Sequence, residues 1–300
     1  MKLHAEPKPL TGPIAGAVAG TTVVVEPLRV GEVQYPGASF EGGGPFEKQR
    51  SLGIGVPRSR WPWVPCPAFL IHHPGAGPLL VDTGLHQSVT TKPTANMGRL
   101  ISRYARPRLD PGLDLPAQLR ARGIELGDVR TIVLTHLHLG HASGIASFPH
   151  ATFIVGEAEW RAATGDNRPL LRGYRPEHYD YVFDYRTLSF DSGVSSYATF
   201  GRTFDLFGDG SVRIAFTPGH TPGHQSVICR LRERDLVIAG DALYKLGQLD
   251  DTPLPPSPAD PHTFRRSLQE LRRFRDRYPQ AVIVPSHDAE LWERLADRYE

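Results

Sequence analysis

Short apolar runs, each bounded by Gly, Pro or polar turn residues, recur along the chain and set its outline. Thr21–Val25, Pro67–His72 and Leu79–Val81 read as strands, and the turn His73-Pro74-Gly75-Ala76-Gly77 joins the last two into a hairpin. Pro116–Arg122 predicts a short helix stopped by Gly123, then Arg130–Thr135 and Thr152–Val155 predict strands, with a helix over Glu157–Ala163. Further on, Val212–Phe216, Ser226–Arg230 and Leu236–Ala239 repeat the strand pattern. Asp260 can cap a helix begun by Pro261, with Phe264, Leu268, Leu271 and Phe274 as its apolar stripe. A final strand, Ala281–Val284, ends at Pro285-Ser286-His287-Asp288. Strands and helices so mixed make an α/β chain.

Two stretches break the pattern. Residues 35–65 are rich in Gly and aromatics without a period and read as a long inserted loop, in which Trp61 and Trp63 either pack or line a substrate pocket. Residues 172–190 are dense in Tyr and Phe and read as a lid or docking segment. Residues 1–20, broken by Gly and Pro, read as a loose arm before a single domain over 21–300.

Composition narrows the function classes. At 40% hydrophobic and 22% charged residues the chain has the make-up of a globular protein. A net charge of +2 is too small for a nucleic-acid footprint. The arginines at 265, 266, 272, 273, 275 and 277 fall on the solvent side of the last helix. No apolar run approaches the ~18 residues of a membrane span, and no signal-peptide pattern opens the chain, so a cytoplasmic enzyme is expected. Cys66 and Cys229 lie far apart without a Cys-x-x-Cys spacing and read as buried free thiols.

Candidate chemistry gathers at strand ends. Thr135-His136-Leu137-His138-Leu139-Gly140-His141 follows one strand, a spacing that suits two adjacent metal ions better than one. His220 follows Val212–Phe216, Asp241 follows Leu236–Ala239, and His287 follows Ala281–Val284. A sheet whose strands end along one edge would collect these five imidazoles and one carboxylate in a single cleft, a donor set suited to zinc or a similar divalent ion. Asp82, at another strand end, is placed as a turn former or a carboxylate supporting a ligand.

Together the His-x-His-x-x-His loop, Thr-Pro-Gly-His-Thr-Pro-Gly-His at 217–224, Gly240-Asp241 and Ser286-His287 resemble the metallo-β-lactamase superfamily. The resemblance implies a four-layer αβ/βα sandwich with a metal cleft at the sheet edges. It gives His136, His138 and His220 to a first ion, His141 and His287 to a second, and Asp241 to both, with one or two zinc ions or another divalent transition metal per chain. A narrower similarity, carried by Pro78–Gly84, Pro218–Ser226 and Tyr244, is to the N-acyl homoserine lactonases. It implies hydrolysis of a lactone or other carboxylic ester by hydroxide generated on the metal, with Tyr244 and Asp241 as catalytic groups and Tyr244 aimed at the substrate carbonyl. His224 is expected to face away from the cleft. The family pattern has Asp where this chain has Gly140, so a metal-binding but catalytically impaired homologue is the competing reading. Phosphotriester, thioester or β-lactam hydrolysis are rivals within the superfamily. The five histidines must be neutral to bind, so metal affinity is expected to fall below pH ~6. Related lactonases often pair, which makes a homodimer one expectation, although no stretch of this sequence marks an interface.

Overall fold

The computed structural model describes residues 4–165, 169–250 and 253–300, so residues 1–3 of the expected arm lie outside it. Its strands are β1 (Lys8–Pro9), β2 (Val24–Gln34), β3 (Trp63–His73), β4 (Gly77–Val81), β5 (Arg106–Arg108), β6 (Thr131–Val133) and β7 (Thr152–Gly156). They continue as β8 (Asp184–Leu188), β9 (Ser195–Tyr197), β10 (Phe200–Asp205), β11 (Val212–Phe216), β12 (Gln225–Arg230), β13 (Asp235–Gly240) and β14 (Val282–Pro285). Eight form one sheet in the order β1-β8-β7-β6-β4-β3-β2-β5, and six form a second in the order β14-β13-β12-β11-β10-β9.

Alternation along the strands explains why the sheets stack. Phe69 and Ile71 of β3 face inward to meet Val227 and Cys229 of β12 and Leu236 and Ile238 of β13 in a core between the sheets. Ala68 and Leu70, on the opposite face of β3, pack under Leu115, Leu119 and Trp160. On the far side, Ile228, Val237 and Ala239 bury the stripe Phe264, Leu268, Leu271 and Phe274 of the helix Pro261–Arg277. Helix, sheet, sheet, helix is the expected αβ/βα sandwich. Each of these large side chains contributes ~1.5–3 kcal/mol by leaving water. Asp260 caps that last helix through His262 N–H and Pro261 opens it, as the sequence predicts.

Three expectations are corrected. The first strand runs to Gln34 rather than stopping at Val25, with a bulge between Arg29 and Glu32. Pro27 and Gly31, residues that strands disfavour, hide its continuation. The segment 172–190 anchors in the core rather than forming a lid: it contains β8, and Tyr174, Tyr179 and Tyr185 are among the largest fully buried side chains. Its aromatics show no period because they serve a turn, a short helix and a strand in succession. Finally, residues 8–14 are docked: β1 pairs in parallel with β8, Leu10 N–H donates to Thr187 O, and Ile14 N–H donates to Leu206 O.

Candidate metal centre

The strands β6, β11, β13 and β14 all end toward one edge of the sandwich, and the loops leaving them carry the histidines and Asp241. His136, His141, Asp241 and His287 are buried, with His138 and His220 less so. Ligand atoms of His136, His138 and His220 lie within 4.8 Å of one another, as do those of His136, His141 and Asp241. Asp241 stands between the two groups. Its Oδ2 is 3.2 Å from His220 Nε2 and 3.7 Å from His136 Nε2, while its Oδ1 is 3.1 Å from His141 Nε2 and 3.3 Å from His287 Nε2.

Each imidazole is tied at its far nitrogen, which leaves the near one turned to the centre. Thr135 Oγ1 donates to Asp82 Oδ2 at 2.8 Å and therefore accepts from His136 Nδ1–H at 3.1 Å. His138 Nε2–H donates to Arg172 O at 2.8 Å, and His287 Nδ1–H to Pro65 O at 2.9 Å. His141 Nδ1–H donates to Asp82 Oδ2 at 2.7 Å. His220 Nδ1 and Tyr244 Oη are 2.7 Å apart. Asp82 also accepts Thr135 N–H at 2.7 Å, so the carboxylate read as supporting a ligand braces two segments of the histidine loop.

His224 departs from expectation. It does not face away but sits under the site, where its Nε2 accepts Asp241 N–H at 2.9 Å and its Nδ1–H donates to Thr217 O. With that nitrogen engaged, it braces Asp241 and is no ligand. Gly240 precedes Asp241 because φ is +55° and a Cβ there would meet His224 Nε2 at 2.7 Å. Nothing in the residue types marks His224 as a brace, since only the return of its loop onto β13 reveals it.

Burial and neighbouring imidazoles hold His136 and His220 well below the usual histidine range, and burial brings His138 to about 4. At His141 burial opposes the charge, yet Asp241 and Asp82 raise it to about 10. Burial likewise opposes the Asp241 carboxylate, but His287, His141, His220 and His136 hold it well below its ordinary range. Tyr244, pushed up by burial and then by Asp241, stays a neutral phenol.

His136 Nε2, His141 Nε2 and Asp241 Oδ1 are buried and lack a hydrogen-bond partner. Such atoms are costly to leave unmatched, and once His141 gives up its Nε2 proton a divalent ion satisfies all three at once. The residues therefore fit a metal, and imidazole with carboxylate suits zinc. Gly140 adds no donor atom; a Cβ at this position would sit 3.4 Å from Cys66 Sγ, in ordinary contact.

Beside the centre opens a mostly apolar cavity of about 180 Å³, whose walls include Tyr35, Phe40, Val64, Cys66 and Ile101 as well as Gly140. Neither Trp61 nor Trp63 lines it. Trp61 is buried against Tyr104, and Trp63 lies under the Arg108 guanidinium. The 35–65 loop thus reaches the site through Tyr35, Phe40 and Val64 instead. Cys66 and Cys229 are buried free thiols, as expected.

The chain is similar to several known proteins. The family model described as metallo-beta-lactamase superfamily matches residues 61–287. An N-acyl homoserine lactonase, AttM, of Rhizobium radiobacter is 34% identical over 231 residues, covering 76% of this chain and 84% of the relative. The N-acyl homoserine lactonase AiiA of Bacillus thuringiensis subsp. kurstaki is 26% identical over 215 residues, covering 71% of this chain and 78% of the relative. Among solved structures, an N-acyl homoserine lactone hydrolase with N-hexanoyl-L-homoserine at its catalytic metal centre superposes with a TM-score of 0.72 at 21% identity, covering 92% of this chain and 97% of that one. AidC, a dizinc quorum-quenching lactonase, gives a TM-score of 0.57 at 15% identity, covering 92% and 91%.

Proposed function

We propose, for a chain that belongs to the metallo-beta-lactamase superfamily, that it is a metal-dependent hydrolase opening lactones of the N-acyl homoserine type. One observation carries the reading: five imidazoles and Asp241, each imidazole tied at its far nitrogen, converge beside an apolar cavity. The cavity suits an acyl chain and the polar floor suits an ester carbonyl. His136, His138 and His220 would hold one zinc or similar ion, His141 and His287 a second, and Asp241 both. When bound, such an ion supplies Lewis acidity and brings water toward ionisation at neutral pH.

The chain's own groups do the rest. Once His220 Nε2 serves as a ligand, its ring proton resides on Nδ1 and donates to Tyr244 Oη. The phenolic hydrogen is then released to donate to the carbonyl oxygen, where charge develops as the ring opens. Asp241, ionised and held between the two groups, fixes their separation. Without a carboxylate at position 140 the second site has one ligand fewer, so it binds more weakly than the first.

The test is a zinc-supplemented assay on a homoserine lactone with a six-carbon acyl chain, beside a thioester, a phosphotriester and a β-lactam. Lactone opening well above the others supports the reading. Metal binding with no turnover of any substrate would favour the catalytically impaired homologue that Gly140 suggests.

A further inference from the structure

We propose that Glu159 is a positioning residue for the metal ligands: its buried carboxylate clamps the loop carrying His136 and His138 to the loop carrying His220, and so fixes the spacing of the three imidazoles. The inference rests on the metal reading given above. Glu159 lies in the first turn of the helix Glu157–Thr164, directly after β7, and is fully buried. Its Oε1 accepts the N–H of Leu137, the residue between His136 and His138, at 3.0 Å. Its Oε2 accepts the N–H of Gly223, three residues past His220, at 3.3 Å.

Those loops leave different sheets, one from β6 and the other from β11, so a single side chain spans the seam. The close approach depends on two glycines. A Cβ at Gly223 would lie 1.9 Å from Glu159 N, and one at Gly156 would lie 2.4 Å from Gly223 O. A third segment joins in. The Tyr174 and Thr221 hydroxyls stand close enough to favour the Glu159 anion, although neither completes an aligned hydrogen bond. Tyr174 bridges the His138 backbone, and Arg172 O holds the His138 ring.

Among the described residues, no Lys or Arg pairs with this carboxylate, and burial raises it to about 7 against those donors. An acid buried without a cation is costly, and an apolar side chain would fill the same space more favourably. What an apolar side chain lacks is the pair of acceptors that joins two backbone N–H groups at a set distance. That pairing is the role we assign.

The test compares the wild-type chain with Glu159→Gln and Glu159→Leu, each titrated with cobalt(II) against a competing chelator. Cobalt absorption reports coordination geometry, and circular dichroism reports folding. The leucine variant is expected to bind cobalt 10- to 100-fold more weakly, with an altered cobalt spectrum and unchanged secondary structure. The glutamine variant keeps one acceptor and should fall between. Wild-type affinity and spectrum in the folded leucine variant overturn the proposal; if that variant does not fold, the same result in the glutamine variant does so. Failure of both variants to fold makes the carboxylate a folding requirement and likewise overturns it. Absence of cobalt binding in the wild type would instead defeat the metal reading itself.

Discussion

Gly140 stands where the superfamily pattern places an aspartate, and its surroundings show what the exchange removes. A Cβ at this position meets only Cys66, with Sγ at 3.4 Å and Cβ at 3.9 Å, so the first atom of a side chain meets no steric conflict there. Gly140→Asp is expected to raise the metal content toward two ions per chain, read by mass spectrometry, and to raise lactone turnover with it. An unchanged ratio would show that the second site is not limited at this position. Asp82 offers the complementary case. It accepts from Thr135 N–H, the Thr135 hydroxyl and His141 Nδ1–H, with φ at +60°, and an amide would turn an N–H toward one of these donors. Asp82→Asn should therefore lower metal retention or kcat/KM by about 10- to 100-fold, measured after dialysis against chelator. The histidines and the aspartate that converge at the strand ends were legible because these residue types declare their chemistry. The braces were not: His224 and Glu159 act through backbone N–H groups that approach only after folding.

Elements were legible where one face or both faces are uniformly apolar. The helix Pro261–Arg277 shows its cap, its proline and its stripe directly in sequence. Leu271 on that stripe is fully buried, and Leu271→Ala should cost ~2–5 kcal/mol in urea unfolding with little change in kcat. By contrast β9 and β10 were passed over, because Ser195, Ser196, Tyr197, Gly201 and Arg202 mask any alternation at the sheet's edge. The β3–β4 hairpin holds a cluster of similar concealment. His73 Nδ1 accepts the N–H groups of Gly75 and Ala76, so its Nε2–H donates toward Asp209 Oδ2 at 3.2 Å and Ser211 Oγ at 3.0 Å. Serine, histidine and aspartate meet here, yet Ser211 Oγ donates to Asp209 at 2.6 Å and the imidazole has no free base, so the cluster locks a turn. Burial opposes the Asp209 anion, but Ser211, the Val18 N–H and His73 bring its carboxyl from 3.8 to about 2. A depressed carboxylate stabilises the fold above its unfolded value and loses that contribution as pH falls. Asp209→Asn should cost at most ~2 kcal/mol at pH 7, the gap closing between pH 4 and pH 2. A gap that stays constant over that window would sink this account.

For the whole molecule, the proposed ligands come from both sheets: His136, His138 and His141 follow β6, while His220, Asp241 and His287 follow β11, β13 and β14. An ion held by both halves would bind the folded chain alone and so add ~2.7 kcal/mol at a hundredfold excess over its dissociation constant. Chelation should accordingly lower the melting temperature as well as abolish turnover. Equal melting temperatures with and without metal would place the ion elsewhere. The sandwich architecture was implied by the family resemblance of the loops, whereas the docking of residues 8–14 left no signal, because two paired residues leave no periodic trace. Yet β1 lies along the outer side of β8, where an uncovered strand would present a row of open backbone groups. Shortening the chain to begin after Ile14 would bare that margin to neighbouring molecules. Light scattering on concentrated samples should then rise with time, making those few residues a guard against self-association.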